Sequence, residues 1–266
     1  MFKTRLISGM ILVAAALFFI ITGGEVLLFA SCVISLIGMY ELYRVYQIER
    51  TAAAFVGYSA AALYYLDLHF HWIPDTMVFV VALLIVLLGA YVLAYPKYHA
   101  SQVTAVFFGV FYVAVMLSGI YQVRAMEQGQ YLVWLIFLCS WGCDTCAYCV
   151  GVKLGKHKMS PLLSPKKSVE GAIGGIAGTF LLTALYASVF RSQMGITSMQ
   201  VLVLAAISSA GGVISMVGDL AASAIKRNYE IKDYGTLIPG HGGILDRFDS
   251  VIFTAPVICY LAKYLL

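Results

Sequence analysis

Charged side chains are scarce in this chain. Of its 266 residues, 17 are Lys or Arg and 13 are Asp or Glu, so 11% are charged while 62% are hydrophobic. Soluble domains carry about 25% charged residues, and this composition excludes an ordinary water-soluble domain. Segments of alternating polar and apolar residues, which a membrane β-barrel requires, are also missing. Apolar runs of about 20 residues, enough for one helical span, recur instead, and they predict an all-α polytopic membrane protein.

Three further features are absent. The chain has no low-complexity tract and no polar segment large enough for a soluble domain. It also lacks a convincing internal repeat, which argues against a transporter built from inverted repeats. Its six cysteines all lie in apolar segments, so they do not indicate a disulfide framework.

The apolar runs predict about nine transmembrane helices. The first run resembles a signal peptide but is long and lacks a small-x-small cleavage site, so we interpret it as a retained span. Five spans fall in an N-terminal region, 1–123, and four in a region, 124–266, that we expect to be catalytic. The second region contains two cytoplasmic loops, 152–168 and 225–248. The predicted spans are 6–23, 26–46, 53–68, 75–95, 102–123, 130–151, 169–190, 199–224 and 249–266.

The basic residues predict the orientation of the chain. If the N-terminus is cytoplasmic, only Arg124, Arg191 and Lys263 of the 17 Lys and Arg residues lie on the other side. Such an excess is typical of cytoplasmic loops. It predicts a multi-pass protein of the cell (inner) membrane whose basic side faces anionic lipid and cytosolic metabolites. The cytoplasmic set is Lys3, Arg5, Arg44, Arg50, Lys97, Lys153, Lys156, Lys158, Lys166, Lys167, Lys226, Arg227, Lys232 and Arg247.

Two carboxylates lie deep inside predicted spans, Asp144 in the sixth and Asp219 in the eighth. A charge at the centre of a span costs about 2.5–3.5 kcal/mol, so such residues are candidates for function; a structural pair with a nearby Lys or Arg is the alternative. Asp219, Ser223 and Lys226 are spaced i, i+4, i+7 and therefore share one helix face. Glu41, near the inner end of the second span, either pairs with Arg44 or lies at the interface.

A glycine-rich segment precedes the last span. Its glycines can adopt positive φ and let a ligand approach the backbone. Asp246 and Asp249 follow, three residues apart, at the predicted helix start. Carboxylates beside basic groups and bare amides suit a Mg²⁺–phosphate site, because Mg²⁺ takes one or two protein carboxylates together with phosphate oxygens. The alternative is a solvated loop whose helix start favours Asp. The glycines are Gly240, Gly242 and Gly243.

A second basic segment precedes the seventh span. Ser164 and Pro165 are good N-cap and N1 residues, which places Lys166 and Lys167 in the first helical turn. Cations are unfavourable there, unless an anion binds the helix start. A simple positive-inside signal explains the two lysines equally well.

Several of these segments resemble the signature of the phosphatidate cytidylyltransferase (CDP-diacylglycerol synthase) family. The resemblance covers roughly the C-terminal half, and the first half is similar only in being apolar. A cysteine follows Asp144-Thr145 and a serine stands at 168, two mild departures that remove no charged group. The matching segments are 144–148, 164–171, 218–219, 223–227 (Ser-Ala-Ile-Lys-Arg), 232–233 and 239–249 (Pro-Gly-His-Gly-Gly-Ile-Leu-Asp-Arg-Phe-Asp).

This resemblance implies an activity. CTP and phosphatidic acid would give CDP-diacylglycerol and pyrophosphate in phospholipid biosynthesis, at a cavity open to the cytoplasm. The implied cofactor is Mg²⁺, as two divalent ions or as one divalent and one monovalent ion. The implied partners are both substrates, the lipid bilayer and a second copy of the chain in a homodimer, with no nucleic acid.

The resemblance also implies roles for individual residues. Those expected to be catalytic are Asp144, Asp219, Lys226 and Asp246. Those expected to bind metal are Asp219, Asp246 and Asp249. Those expected to bind substrate are Lys166, Lys167, Ser223, Arg227, His241, Gly242, Gly243 and Arg247.

Other functions are compatible with parts of the pattern. The same cytidylyl transfer onto an ether or isoprenoid lipid phosphate would use the same motifs. An ion-coupled transporter would use intramembrane carboxylates but needs polar residues that reach both membrane faces. A structural scaffold would leave the carboxylates inside the spans unexplained.

Overall fold

The computed structural model describes the backbone of residues 2–265 and the side chains of residues 7–264. The side chains of Lys3 and Arg5, which contribute to the predicted orientation, therefore lie outside the described residues. The helices are α1 (Phe2–Thr22), α2 (Gly24–Val45), α3 (Ala52–Phe70), α4 (Thr76–Leu93), α5 (Ala100–Gly109), α6 (Gly119–Ala125), α7 (Gly129–Phe137), α8 (Cys143–Leu154), α9 (Val169–Val189), α10 (Arg191–Met194), α11 (Ser198–Asn228) and α12 (Leu245–Leu265).

Two of the long helical rods contain π-helical segments. Val110–Val115 joins α5 to α6, and Leu138–Gly142 joins α7 to α8. Single π-turns inside helices are frequent at functional sites. The second segment ends two residues before Asp144, and its Trp141 Nε1 donates to the carbonyl oxygen of Arg247 at 3.2 Å. It thereby joins the carboxylate-bearing helix α8 to the start of α12.

The helices are long and apolar enough for a membrane protein. Six helical rods in the described part of the chain have the length and composition of a span: 24–45, 76–93, 100–125, 129–154, 169–189 and 198–228. Each of the nine predicted segments also falls on a helix. The prediction of an all-α polytopic membrane protein is therefore confirmed. The count of nine and the cytoplasmic N-terminus stay predictions.

Small residues allow α8 and α9 to pack closely. A Cβ at Gly174 would lie 2.5 Å from the Val150 side chain, and one at Gly178 would lie 2.5 Å from that of Cys146. Membrane helices associate through such small residues because the backbones can then come near each other. This contact brings the N-terminus of α9, and the segment that leads into it, beside Asp144.

The interpretation of Ser164 and Pro165 as the N-cap and N1 residues of the seventh span was wrong, whereas the predicted start of that span at residue 169 agrees with the structure. Residues Lys158–Ser160 (β1) and Ser164–Ser168 (β2) form an antiparallel hairpin, and α9 begins only at Val169. Ser168 is the N-cap, since its Oγ accepts from the Gly171 amide at 3.1 Å. Lys166 and Lys167 therefore lie in a strand, and the argument about cations in a first helical turn does not apply to them.

The two loops also differ in length from their predictions. Helix α8 continues to Leu154 and α11 to Asn228, while α12 already begins at Leu245. The connecting segments are therefore 155–168 and 229–244, instead of 152–168 and 225–248. Helical hydrogen bonding continues past the point where the sequence becomes polar.

Candidate active site

A polar cavity of about 730 Å³ lies between α8, the hairpin, α9, α11 and the start of α12. The structure brings eight of the predicted site residues to its wall. They come from segments up to 105 positions apart in the chain, which local sequence patterns cannot place together. These residues are Asp144, Lys166, Lys167, Asp219, Lys226, Asp246, Arg247 and Asp249.

Two ion pairs in the wall of the cavity join different elements. The ammonium of Lys167 on β2 contacts the Asp219 carboxylate on α11. Lys226 Nζ, two turns further along α11, donates to Asp246 Oδ1 on α12 at 2.8 Å. Ser223 Oγ lies 3.4 Å from Asp219 Oδ1. The prediction that Asp219, Ser223 and Lys226 share a helix face is consistent with these contacts.

Asp246 is almost enclosed, with its side chain only 1% exposed. Its second oxygen, Oδ2, accepts from the amides of Tyr234 at 2.8 Å and Gly243 at 3.0 Å. Hydrogen bonds to an ionised group are about twice as strong as neutral ones. Asp246 thus fastens segment 229–244 to α12, and both of its oxygens are used within the protein.

Three further carboxylates converge nearby. Asp144, Asp219 and Asp249 are close enough to interact electrostatically, and Ser250 Oγ lies 3.4 Å from Asp144 Oδ2. Within the described residues, no group of three or more His, Cys, Asp or Glu side chains is arranged so that it could hold a metal ion by itself. Carboxylates with open coordination positions fit Mg²⁺, which is commonly held by one or two carboxylates together with substrate phosphates.

A second cavity of about 610 Å³ adjoins the first, and it is lined mainly by apolar residues of α1 and α2. The two cavities share Asp144, Asp246, Arg247 and Asp249 in their walls. Arg247 Nε is buried there and makes no hydrogen bond to any described residue. Because an unsatisfied buried donor is costly, this atom is suited to an anionic ligand placed between the two cavities.

Comparison with known proteins identifies the family. A model of the cytidylyltransferase family matches residues 3–265. The chain belongs to the cytidylyltransferase family. It is 31% identical over 262 residues to the phosphatidate cytidylyltransferase of Staphylococcus aureus strain COL, covering 96% of this chain and 97% of that protein. It is 29% identical over 266 residues to the phosphatidate cytidylyltransferase of Bacillus subtilis strain 168, covering 97% of each.

Family membership confirms the resemblance found in the C-terminal motifs and extends it to the whole chain. The N-terminal half, in which sequence analysis found only apolar spans, is part of the match. Membership in a cytidylyltransferase family also favours an enzyme over the transporter and scaffold hypotheses.

Some predicted residues of this cytidylyltransferase lie away from the polar cavity. Arg227 Nη1 donates to the Ile231 carbonyl at 3.2 Å, at the exposed end of α11. His241 lines the apolar cavity, and its Nδ1 lies 2.9 Å from Ser8 Oγ on α1. Gly242, with φ of 86°, and Gly243 form the turn before α12. Their predicted roles in substrate binding stay predictions.

Sequence analysis underrated Glu41. This residue of α2 is 4% exposed. Its carboxylate accepts from the amides of Ile244 at 3.1 Å and Leu245 at 2.8 Å. Arg44, the expected partner, donates instead to the Tyr234 carbonyl at 2.7 Å. The sequence feature that could have identified Glu41 is the one that identified Asp144: each is an acidic residue inside an apolar span.

Glu170, in the matching segment 164–171, has a structural role that the sequence did not indicate. Its carboxylate accepts from the amide of Lys156 at 3.0 Å and from the amide of His157 at 3.2 Å. The ring nitrogen Nδ1 of His157 lies 2.6 Å from Glu170 Oε1. These contacts close the base of the β1–β2 hairpin at the start of α9. Glu170 therefore holds the segment that leads into β1, the strand that pairs with the one carrying Lys166 and Lys167.

Proposed function

We propose that this protein transfers CMP from CTP to phosphatidic acid, giving CDP-diacylglycerol and pyrophosphate in phospholipid biosynthesis. The observation that carries the proposal is the junction of a polar and an apolar cavity at Asp144, Asp246, Arg247 and Asp249. One reactant carries a triphosphate and the other carries hydrocarbon chains, so their reacting phosphates meet where such cavities join. The names of the Staphylococcus and Bacillus relatives support the same reaction.

The polar cavity suits the nucleotide. Lys158, Lys166 and Lys167 lie on the hairpin side of its wall. Lysine is a common binder of phosphate, acting as a point charge. Several cations on one wall compensate the negative charge of a triphosphate, and they raise its local concentration.

The apolar cavity suits the lipid. Phe19 on α1 and Leu27 and Ile34 on α2 are among its lining residues. Lipid tails are as apolar as such side chains, so acyl chains can pass from the bilayer into this cavity without a large change in solvation. We propose that Arg247, whose Nε is without a hydrogen-bond partner among the described residues, holds the lipid phosphate at the mouth of this cavity.

The chemistry requires positioning and charge compensation. An oxygen of the lipid phosphate attacks the α-phosphorus of CTP, the new P–O bond forms in line with the bond to the β-phosphate, and pyrophosphate leaves with that electron pair. No covalent enzyme intermediate is needed. Lys167 and Arg247 compensate the charge that develops on the phosphate oxygens.

We propose Asp219 and Asp249 as the residues that would hold Mg²⁺. Both line the polar cavity, and the Asp219 side chain is 23% exposed. Asp246 is 1% exposed, and its Oδ2 already accepts from two backbone amides. This assignment changes the expected role of Asp246 from metal ligand to structural anchor of the site. Bound Mg²⁺ would supply charge neutralisation on the phosphates of CTP.

The direct test is incorporation of radiolabelled CTP into lipid by the protein purified in detergent. We expect Mg²⁺-dependent labelling of phosphatidic acid, and we expect Asp219→Asn to lower the rate by about 100-fold or more. Asp75→Asn is the matched control, because Asp75 caps the exposed start of α4 and Asn is an equally good cap. Absence of labelled lipid with the wild-type protein would refute the proposal.

The same assay identifies the acceptor. Ester-linked phosphatidic acid, an ether-linked analogue and an isoprenoid phosphate are offered in parallel at equal concentration. We expect the highest kcat/KM with the ester-linked lipid. A preference for either of the other two would replace phosphatidic acid as the acceptor while leaving the cytidylyl transfer intact.

We also propose that the site faces the cytoplasm and that the protein is a homodimer. The distribution of Lys and Arg along the chain supports the orientation. An N-terminal tag should be cleaved by protease in inverted vesicles and protected in right-side-out vesicles. Light scattering in detergent should give a protein mass twice the 29.0 kDa of one chain, and a mass of one chain would contradict the dimer.

A further inference from the structure

Glu41 is a buried carboxylate that the proposed reaction does not use. It lies on α2, in the N-terminal half of the chain, and 4% of its surface is exposed. An ionised carboxylate out of water is stable only when its oxygens are hydrogen-bonded or paired. Both of its oxygens have such partners: Oε1 accepts from the Ile244 amide at 3.1 Å and Oε2 from the Leu245 amide at 2.8 Å.

These partners are the amide of Leu245, the first residue of α12, and that of Ile244 immediately before it. The first four N–H groups of a helix have no partner within the helix, and a negative charge there also interacts favourably with the helix dipole. Glu41 takes the amides of Ile244 and Leu245, while Asp246 takes that of Gly243 at 3.0 Å. Three consecutive amides at the start of α12 are thus held by two carboxylates, one of them from a helix about 200 residues upstream.

The first turn of α12 carries the residues that border both cavities. Asp246, Arg247 and Asp249 all project from it. A displacement of about 1 Å at a reacting centre can cost roughly 100-fold in rate. The position of this one turn therefore determines whether the charged groups meet the reacting phosphates.

Bare backbone encloses the Glu41 carboxylate from two sides. A Cβ at Gly235 would fall on Glu41 Oε1, and a Cβ at Gly243 would fall on both carboxylate oxygens. Arg44, one turn along α2, fixes the same segment through the Tyr234 carbonyl at 2.7 Å. Segment 229–244 thus has glycine at the two positions, 235 and 243, that lie against the Glu41 carboxylate.

We propose that Glu41 is a positioning residue for the cytidylyl transfer, acting through the first turn of α12. It sets the place of Asp246, Arg247 and Asp249 without touching either substrate. This inference rests on the proposed function, and it assigns to α2 a part in the reaction.

The first test is Glu41→Gln. The amide keeps the volume and one acceptor oxygen but turns an NH₂ group toward a backbone N–H, so one hydrogen bond is lost and two donors face each other. We expect kcat at saturating CTP and lipid to fall at least tenfold, while KM for CTP changes less than threefold. Loss of one such contact is sufficient for a tenfold effect.

Tyr43→Phe is the matched control. Tyr43 lies two residues away on α2, is fully buried and donates to the Val106 carbonyl at 2.8 Å, away from both cavities. It should lower the thermal unfolding midpoint to a degree similar to Glu41→Gln and keep kcat within twofold of wild type. A kcat for Glu41→Gln within twofold of wild type, or an equal loss in Tyr43→Phe, would overturn the proposal.

A second variant reaches the same contact from the other side and covers the case in which Glu41→Gln fails to fold. Gly235→Ala places a methyl group on the carboxylate, so we expect a fall in kcat of at least tenfold. In the Glu41→Ala background the clash with the carboxylate is gone and only a tight contact of 3.1 Å with Gly243 Cα is left, so the further effect of Gly235→Ala should be less than threefold. If the losses of kcat in Gly235→Ala and Glu41→Ala simply multiply in the double variant, the two sites act independently and the proposal is overturned. Residues in contact give a non-additive effect instead. If the wild-type protein makes no labelled lipid, it is the proposed function that fails.

Discussion

At the scale of single residues, the site depends on which cation neutralises which carboxylate. Lys226 and Asp246 form a pair whose side chains are 11% and 1% exposed. In such an enclosed pair, removal of one partner leaves a charge without compensation, at a cost of about 3–5 kcal/mol. The pair therefore contributes to the stability of the α11–α12 contact as well as to the charge of the cavity.

We predict that Lys226→Met lowers stability strongly, because Asp246 keeps its two backbone donors but loses its counter-ion. The measurement is the thermal unfolding midpoint in detergent, where the variant should unfold well below wild type. Lys153→Met, at an exposed position near the end of α8, is the control and should unfold with wild type. Equal midpoints for both variants would show that the pair adds no stability.

At the scale of elements, the β1–β2 hairpin delivers three lysines, Lys158, Lys166 and Lys167, to a site otherwise built from helices. Lys167 reaches Asp219 on α11 only because the hairpin folds back against the start of α9. Its base is closed by Glu170, which accepts from the amides of Lys156 and His157. The sequence predicted a helix start at Ser164 and Pro165, because Ser-Pro is a good local signal for one.

We predict that Glu170→Ala weakens nucleotide binding more than it slows the reaction. With its base open, the hairpin holds Lys166 and Lys167 less firmly, so KM for CTP should rise about fivefold or more while kcat falls less than threefold. Glu127→Ala, an exposed carboxylate outside the lining of both cavities, is the control. An unchanged KM would mean that the hairpin is held by its strand pairing alone.

At the scale of the whole molecule, α1 forms one wall of the apolar cavity and is tied to the rest at two places. Ser8 Oγ lies 2.9 Å from the Pro239 carbonyl and from His241 Nδ1. Near the other end of α1, Arg124 Nε donates to the Ile20 carbonyl at 2.9 Å. Residues of this helix thus line the apolar cavity beside its junction with the polar one.

We predict that Ala16→Phe on α1 discriminates between lipid lengths. Ala16 lines the apolar cavity, and a phenyl ring there would take up volume that long acyl chains need. The rate ratio of long-chain to short-chain phosphatidic acid should fall at least threefold. Met10→Phe is the control, because Met10 is 55% exposed and outside the cavity lining. An unchanged ratio would place the acyl chains elsewhere.

Much of the candidate site could be predicted from the sequence where the relation is local or energetic. Asp144 and Asp219 are identifiable because a carboxylate inside a span is costly. Asp219 and Ser223 are related by helical periodicity alone. Glu41 carries the same signal, but its partners are amides about 200 residues away, and no periodicity connects them.

The sequence by itself determined the class of the protein: apolar runs of spanning length require helices in a bilayer, basic residues favour one side, and the motifs near the C-terminus indicate the family. Only the tertiary structure decided that Lys226 pairs with Asp246, that Ser164–Ser168 is a strand, and that two cavities of opposite character meet at Arg247. The reason is physical. Helix formation and membrane insertion depend on neighbours in the chain, whereas ion pairs and cavities depend on which helices pack together.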